Sequence, residues 1–177
     1  MCMTNSMSDA LKTLEVFRPE VEEIDEREVK LSVAPDRVIA VLETLKSLGY
    51  SHLSLMTCID WIEDSQFELV YILFSWKDGG KFIVTTRIDR NNPQFVTVKE
   101  IWPVARFYER EIHEFFGVKF SGNEDMKPLF LELWDDKPPL RKDFDPLEYS
   151  RRKFPGREYQ KDVIDEAKKI FRGEING

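Results

Sequence analysis

Trp102-Pro103-Val104-Ala105-Arg106-Phe107-Tyr108-Glu109-Arg110-Glu111-Ile112-His113-Glu114-Phe115-Phe116-Gly117 is the run around which the chain is organised. It carries helix signals at both ends. Pro103 suits a first turn, where a missing N–H costs nothing. Gly117 suits the position just past the last turn, where the backbone must turn left-handed. At about 100° per residue, Val104, Phe107, Tyr108, Ile112 and Phe115 fall on one arc. Arg106, Glu109, Arg110 and His113 fall opposite. Glu111 lands in the middle of the apolar arc, where an unpaired ionised carboxylate is costly to bury. The spacing therefore predicts an inward Glu111 that has a cationic or hydrogen-bonding partner or else is neutral.

After Gly117 the pattern changes. Residues 118–160 carry Pro128, Pro138, Pro139, Pro146 and Pro155 and no sustained period. They nonetheless hold many large apolar side chains, among them Phe120, Leu133, Trp134, Leu140 and Phe144, and disordered tails are poor in these. An arm ordered by lying on its own domain or on a partner accounts for both features. The cations of Pro138-Pro139-Leu140-Arg141-Lys142-Asp143-Phe144 are the natural partners for Glu111: an arginine fork on that carboxylate would pin the arm to the helix. Lys161 to Phe171, with Val163, Ile164, Ala167, Ile170 and Phe171 apolar, reads as a short amphipathic helix.

Before Trp102 the elements are easier to read. Residues 8–17 form a short helix with a Leu11, Leu14 and Phe17 stripe. Val21 to Ile24 and Val29 to Val33 are strands around a charged turn. Residues 35–48 form a helix that opens on Pro35 and Asp36 and ends at Gly49. Leu53 to Ile59 is a strand, and Phe67 to Trp76 returns through Lys77-Asp78-Gly79-Gly80 into Lys81 to Ile88. Strands run together without alternating with helices. The fold class is therefore α+β: a two-layer α-β-β-α-β-β-β domain with a mixed or antiparallel sheet, a following helix and an extended C-terminal arm. The expected divisions are 8–117 for the domain, 118–160 for the arm, and 161–177 for a last helix and tail.

Composition excludes several functions. A formal net charge of −7 over 177 residues argues against general nucleic-acid binding. No run of eighteen apolar residues exists to span a membrane. The N-terminus lacks the basic and apolar regions of a secretory signal. With only Cys2 and Cys58, a disulfide framework, a four-cysteine cluster and a zinc ribbon are excluded within the chain. His113-Glu114 opens like a zinc-protease helix, but Gly117 stands where the second histidine would be. Gly79-Gly80 is a turn, and neither dinucleotide nor phosphate-loop motifs occur. Cys58 reads as a buried structural thiol. Asp60-Trp61 either caps a turn or faces a partner, and Arg151-Arg152-Lys153 is a basic cluster within the arm. One catalytic alternative remains, a small stand-alone enzyme using Glu111 and His113 as acid and base.

Two motifs carry a resemblance. Glu109-Arg110-Glu111 followed by Glu114-Phe115-Phe116-Gly117-Val118-Lys119-Phe120-Ser121-Gly122 is one, and Pro139-Leu140-Arg141-Lys142-Asp143-Phe144 is the other. Together they resemble the NuoC-type subunit of respiratory complex I (NADH:quinone oxidoreductase). The same family supplies subunits of energy-converting membrane-bound nickel–iron hydrogenases. Departures from the usual pattern include Glu114 for Asp, Asn123-Glu124 for His-Pro, and Met126-Lys127-Pro128-Leu129 for a Leu-Arg-Arg-Ile run. They favour a divergent relative, such as a hydrogenase-related or ferredoxin-linked complex.

The resemblance implies a non-catalytic scaffold subunit in the cytoplasmic arm of an ion-translocating redox complex. It implies no cofactor in this chain, with iron–sulfur clusters and nickel–iron or flavin groups in partner subunits. It implies a hetero-oligomer with a NuoD-like or hydrogenase-like large subunit and a small iron–sulfur subunit. The protein would be peripheral on the cytoplasmic side, touching the membrane only through other subunits. Glu109, Arg110, Glu111, Glu114, Gly117, Phe120, Trp134, Leu140, Arg141, Lys142 and Asp143 are expected to hold helix, arm and partner in register.

Overall fold

A computed structural model describes residues 5–156. Its contacts divide the chain into two compact units, with the boundary between Phe144 and Asp145. The Lys161-to-Phe171 helix lies outside the described residues.

The first unit opens with helix α1 (Asn5–Leu14), a short 3-10 turn (Glu15–Phe17), and an antiparallel hairpin of β1 (Glu20–Asp25) and β2 (Glu28–Ser32). Helix α2 (Val38–Ser47) follows, then β3 (His52–Trp61), β4 (Gln66–Phe74) and β5 (Lys81–Asp89). These strands form a five-stranded sheet in the order β1-β2-β5-β4-β3. Only the β2–β5 pair is parallel, because α2 and the next two strands separate its members. The sheet is mixed and the fold is α+β, as its sequence predicts.

Period-two alternation decides which face is covered. Val29 and Leu31, Phe67, Leu69, Tyr71 and Leu73, and Phe82, Val84 and Ile88 are buried on one face beneath the helices. Met7, Ala10 and Leu14 of α1, and Val38, Val41, Leu42 and Leu45 of α2, close over them. Cys58 of β3 is buried there, and burial pushes its thiol well above the ordinary range, so it is inert structural filling.

A pair of short strands and a helix escape the sequence reading. Strand β6 (Gln94–Val96) pairs in parallel with β7 (Lys119–Ser121), bracketing helix α3 (Ala105–Phe116). The stretch from Pro146, expected to be aperiodic arm, opens with helix α4 (Pro146–Lys153) in the second unit. Asp145 caps it by accepting the Leu147 and Glu148 amides, and Arg151, Arg152 and Lys153 fall in its last turn, where the helix dipole favours cations.

Candidate partner interface

Helix α3 ends where predicted, with Gly117 left-handed at φ +82° and its amide on the His113 carbonyl. A side chain at Gly117 would sit 3.2 Å from Pro138 Cγ, so the glycine also lets the arm approach the helix end.

The face that α3 buries is not the predicted one. Ala105, Glu109, Ile112 and Phe116 point into the domain, and Glu111 is exposed. The inward placement of Glu111 is thus corrected: the inward carboxylate is Glu109, which is fully buried. It accepts bonds from the Val98 amide (2.7 Å), Asn123 Nδ2 (2.8 Å) and the Thr97 hydroxyl (2.7 and 2.9 Å). Burial raises its pKa, and the three donors only partly offset that rise. Glu109 ties the β6 end to the chain leaving β7, across the base of α3.

The predicted pairing of Glu111 with Arg141 or Lys142 is corrected for the same reason. Arg141 instead lies over the Phe67 ring, 5.1 Å from its centroid, and donates to the Arg90 carbonyl at 2.8 Å. The Lys142 amide donates to Asp60 at 2.8 Å, and its ammonium is 4.0 Å from Glu63. Asp60, 4% exposed at the end of β3, receives a two-pronged fork from Arg90 at 2.7 and 3.0 Å. Arg90 also donates to Asp143. Burial alone would raise both carboxyl pKa values, but bonds from Arg90 to both, and from the Lys142 amide to Asp60, hold them below the ordinary carboxylate range. Sequence reasoning missed Arg90 altogether. Nothing in its loop, Asp89-Arg90-Asn91-Asn92-Pro93, marks it as a fork.

Nearer the middle of the arm, the partners are on α3 itself. Arg110 donates to the carbonyls of Lys127 (3.0 Å) and Pro128 (3.2 Å) and pairs with Asp125 at 3.4 Å. One turn on, Glu114 accepts the amides of Leu129, Phe130 and Leu131. The Leu140 amide reaches the Phe115 carbonyl at 3.1 Å. Residues 125–143 are thus laid along their own domain by backbone bonds as much as by ion pairs. Phe120 is buried in β7, and Trp134 donates to the Lys137 carbonyl at 2.9 Å with its ring 5.5 Å from that of Phe144.

The apolar arc drawn from the sequence does exist, but much of it faces outward. Val104 is 45% exposed and Phe107 43%, while Phe115 is half-buried and stacks on Phe130, itself 62% exposed. Leu140, 55% exposed, follows beside the same helix end. Glu111 sits within this stripe. Glu111 and His113, two residues apart, do not face each other on a helix. His113 Nδ1 is engaged with the Val118 carbonyl at 2.8 Å. A cleft of about 370 Å³ beside His113 is lined by Glu114, Met126 and Leu131 and not by Glu111. Among the described residues, no three His, Cys, Asp or Glu side chains gather as metal ligands, and no helix is long and apolar enough to cross a membrane.

Comparison with known proteins matches this arrangement to one family. A family model described as the respiratory-chain NADH dehydrogenase 30 Kd subunit matches residues 31–150. The NADH-quinone oxidoreductase C subunit of Moorella thermoacetica is 33% identical over 140 residues, spanning 78% of this chain and 95% of that one. The C/D 2 subunit of the Aquifex aeolicus NADH-quinone oxidoreductase is 34% identical over 131 residues, 72% of this chain but only 22% of the longer relative. Among solved structures, a chain of the membrane-bound sulfane sulfur reductase, an archaeal respiratory membrane complex, superposes with a TM-score of 0.75 at 34% identity, covering 90% of this chain and 98% of that one. The trypsin-resistant fragment of Nqo5 gives 0.61 at 25% identity, covering 68% and 98%. The helix, the buried glutamate and the pinned arm are therefore those of a member of the respiratory-chain NADH dehydrogenase 30 Kd subunit family, to which this chain belongs.

Proposed function

We propose that the protein is a non-catalytic docking subunit of a membrane-bound, ion-translocating respiratory complex, seated on the large catalytic subunit through the outer face of α3 and the arm. It carries no redox group itself, and works on the cytoplasmic side with membrane contact made by other subunits. Iron–sulfur clusters, and nickel–iron or flavin groups, belong to its partners, including a small iron–sulfur subunit. One observation carries this reading: the exposed side chains Val104, Phe107, Phe130 and Leu140, set around the half-buried Phe115, are built on backbone that the domain already holds in place. An exposed apolar surface on a rigid support is the mark of an interaction site. The Aquifex relative, named for both C and D types, supports a D-type neighbour.

The chain is as similar to a chain of an archaeal sulfane sulfur reductase complex, at 34% identity, as to the Moorella NADH-quinone oxidoreductase relative, at 33%. That fits a subunit that positions catalytic partners without choosing the electron donor or acceptor, here in a hydrogenase-related or ferredoxin-linked complex. The test is Phe107→Glu in the full chain, co-expressed with the large subunit. Phe107 is exposed, so the free variant should melt with the unaltered chain while the large subunit no longer co-purifies. Undiminished co-purification would reject the reading.

A further inference from the structure

Leu133 is the most exposed large apolar side chain in the described structure, at 94%. Its backbone is left-handed, φ +52°, a conformation that side chains other than glycine, asparagine and aspartate rarely adopt. An exposed leucine held in that conformation gains nothing within its own domain. The chain on both sides of it is fastened. Upstream, Glu114 accepts the Leu129, Phe130 and Leu131 amides and Arg110 holds the Lys127 and Pro128 carbonyls. Downstream, Pro138 packs against Gly117, the Leu140 amide is on Phe115, and the Lys142 amide is on Asp60. The loop is also braced internally, by Trp134 Nε1 on the Lys137 carbonyl and the Lys137 amide on Asp136.

Leu133 further forms part of the wall of two clefts. One, of about 510 Å³, is lined by Pro128 to Leu133. The other, of about 370 Å³, lies towards His113, Met126 and Trp134. A protruding apolar knob that borders two clefts, on a loop fastened at both ends, has its ordering entropy already lost before a partner arrives.

We infer that Leu133 is the anchor of the interface, inserting into an apolar pocket of the large subunit while side chains of that subunit enter the two clefts that Leu133 lines. This rests on the docking reading above and names the residue that dominates it. The D-type large subunit is the occupant because the anchor stands on the arm whose Phe130 and Leu140 continue the α3 docking stripe. The Aquifex C/D chain supports the same neighbour by naming the two types together.

The test uses the intact complex with Leu133→Asn. Asparagine tolerates left-handed backbone, so the free full chain should melt no lower than the unaltered one. In the complex, Leu133→Asn should leave the large subunit roughly ten- to a hundredfold faster, as expected for loss of a buried anchor. A Trp76→Ser control, altering an aromatic side chain 77% exposed outside the arm, should dissociate at the unaltered rate. A photo-crosslinking residue at position 133 should attach to the large subunit. Unchanged dissociation of Leu133→Asn, or cross-links to the small subunit or to a second copy of this chain, overturns the anchor. If the unaltered chain itself never co-purifies with a large subunit, the docking reading fails first. If it co-purifies and Leu133→Asn dissociates no faster, only the anchor fails.

Discussion

At the scale of single residues, two carboxylates on one helix exchange the roles their spacing suggests. Glu109 is buried with three donors and, among the described residues, no ion pair, whereas Glu111 stands in water. Removing Glu109 strands an amide, a hydroxyl and an asparagine together. Glu109→Ala should therefore cost about 3–5 kcal/mol in urea unfolding, since each stranded buried polar group costs about 1–3 kcal/mol and three are stranded together. Its pH dependence has a definite sign. Folded Glu109 keeps its proton to higher pH than an unfolded glutamate, whose pKa is about 4.3. Between those two values the folded state binds more protons, so stability falls as pH rises. Glu109→Gln should abolish that descent, and a Gln variant that keeps it would show that another group is responsible. The inward residue was not legible because projection gives the width of an apolar arc, not which part of it is covered. Here the arc from Val104 to Phe116 is wide enough to serve two neighbours, and the domain takes the edge that ends at Glu109.

At the scale of elements, the long strands and the first three helices were legible because each offers several residues of consistent period and a terminal signal such as Gly49 or Gly117. The β6–β7 pair has three residues a side, too few to show a period, and is parallel across an intervening helix. Helix α4 did have a signal, the Asp145 cap followed by Pro146 at the first turn, but it was submerged in a proline-rich stretch. The arm was read as ordered, yet the groups that order it, Asp60, Arg90 and backbone amides, belong to segments distant in sequence. This arrangement makes a prediction for the arm as an element. Asp60→Asn leaves Arg90, 12% exposed, with its principal carboxylate gone, and breaking such a pair typically costs about 3–5 kcal/mol. Hydrogen exchange at the Lys142 amide should accelerate, while amides of β4 stay protected. Acid should do the same without mutation. Asp60 and Asp143 have depressed folded-state pKa values, so their contribution is present above the unfolded value of about 3.9 and is lost as pH falls through the folded ones. An arm whose protection never falls as pH is taken down below that unfolded value, while the rest of the domain stays folded, would dismiss the Arg90 bridge as its fastening.

At the scale of the whole molecule, the inner and outer halves of α3 answer to different demands. The inner half, with Ala105, Glu109, Ile112 and Phe116, serves folding. The outer half leaves Val104 and Phe107 exposed, with the Arg106 guanidinium over the Phe107 ring, and Glu111 lies in its midst. In the free chain, water solvates Glu111, and its removal should leave the melting temperature unchanged. In an assembled complex the same carboxylate would be enclosed by apolar contact, where an unmatched charge is costly. A large subunit docked as proposed would then have to offer it a cation or a cluster of donors. Glu111→Gln should weaken the complex by about 2–5 kcal/mol, chiefly through faster dissociation, as when one partner of a buried charged pair is removed. Glu111→Lys should weaken it further by setting like charges together. The paired measurements are free-chain melting and dissociation of the large subunit, each for both variants. A drop in melting temperature with unchanged dissociation would return Glu111 to a role in folding and move the docking face elsewhere on the molecule.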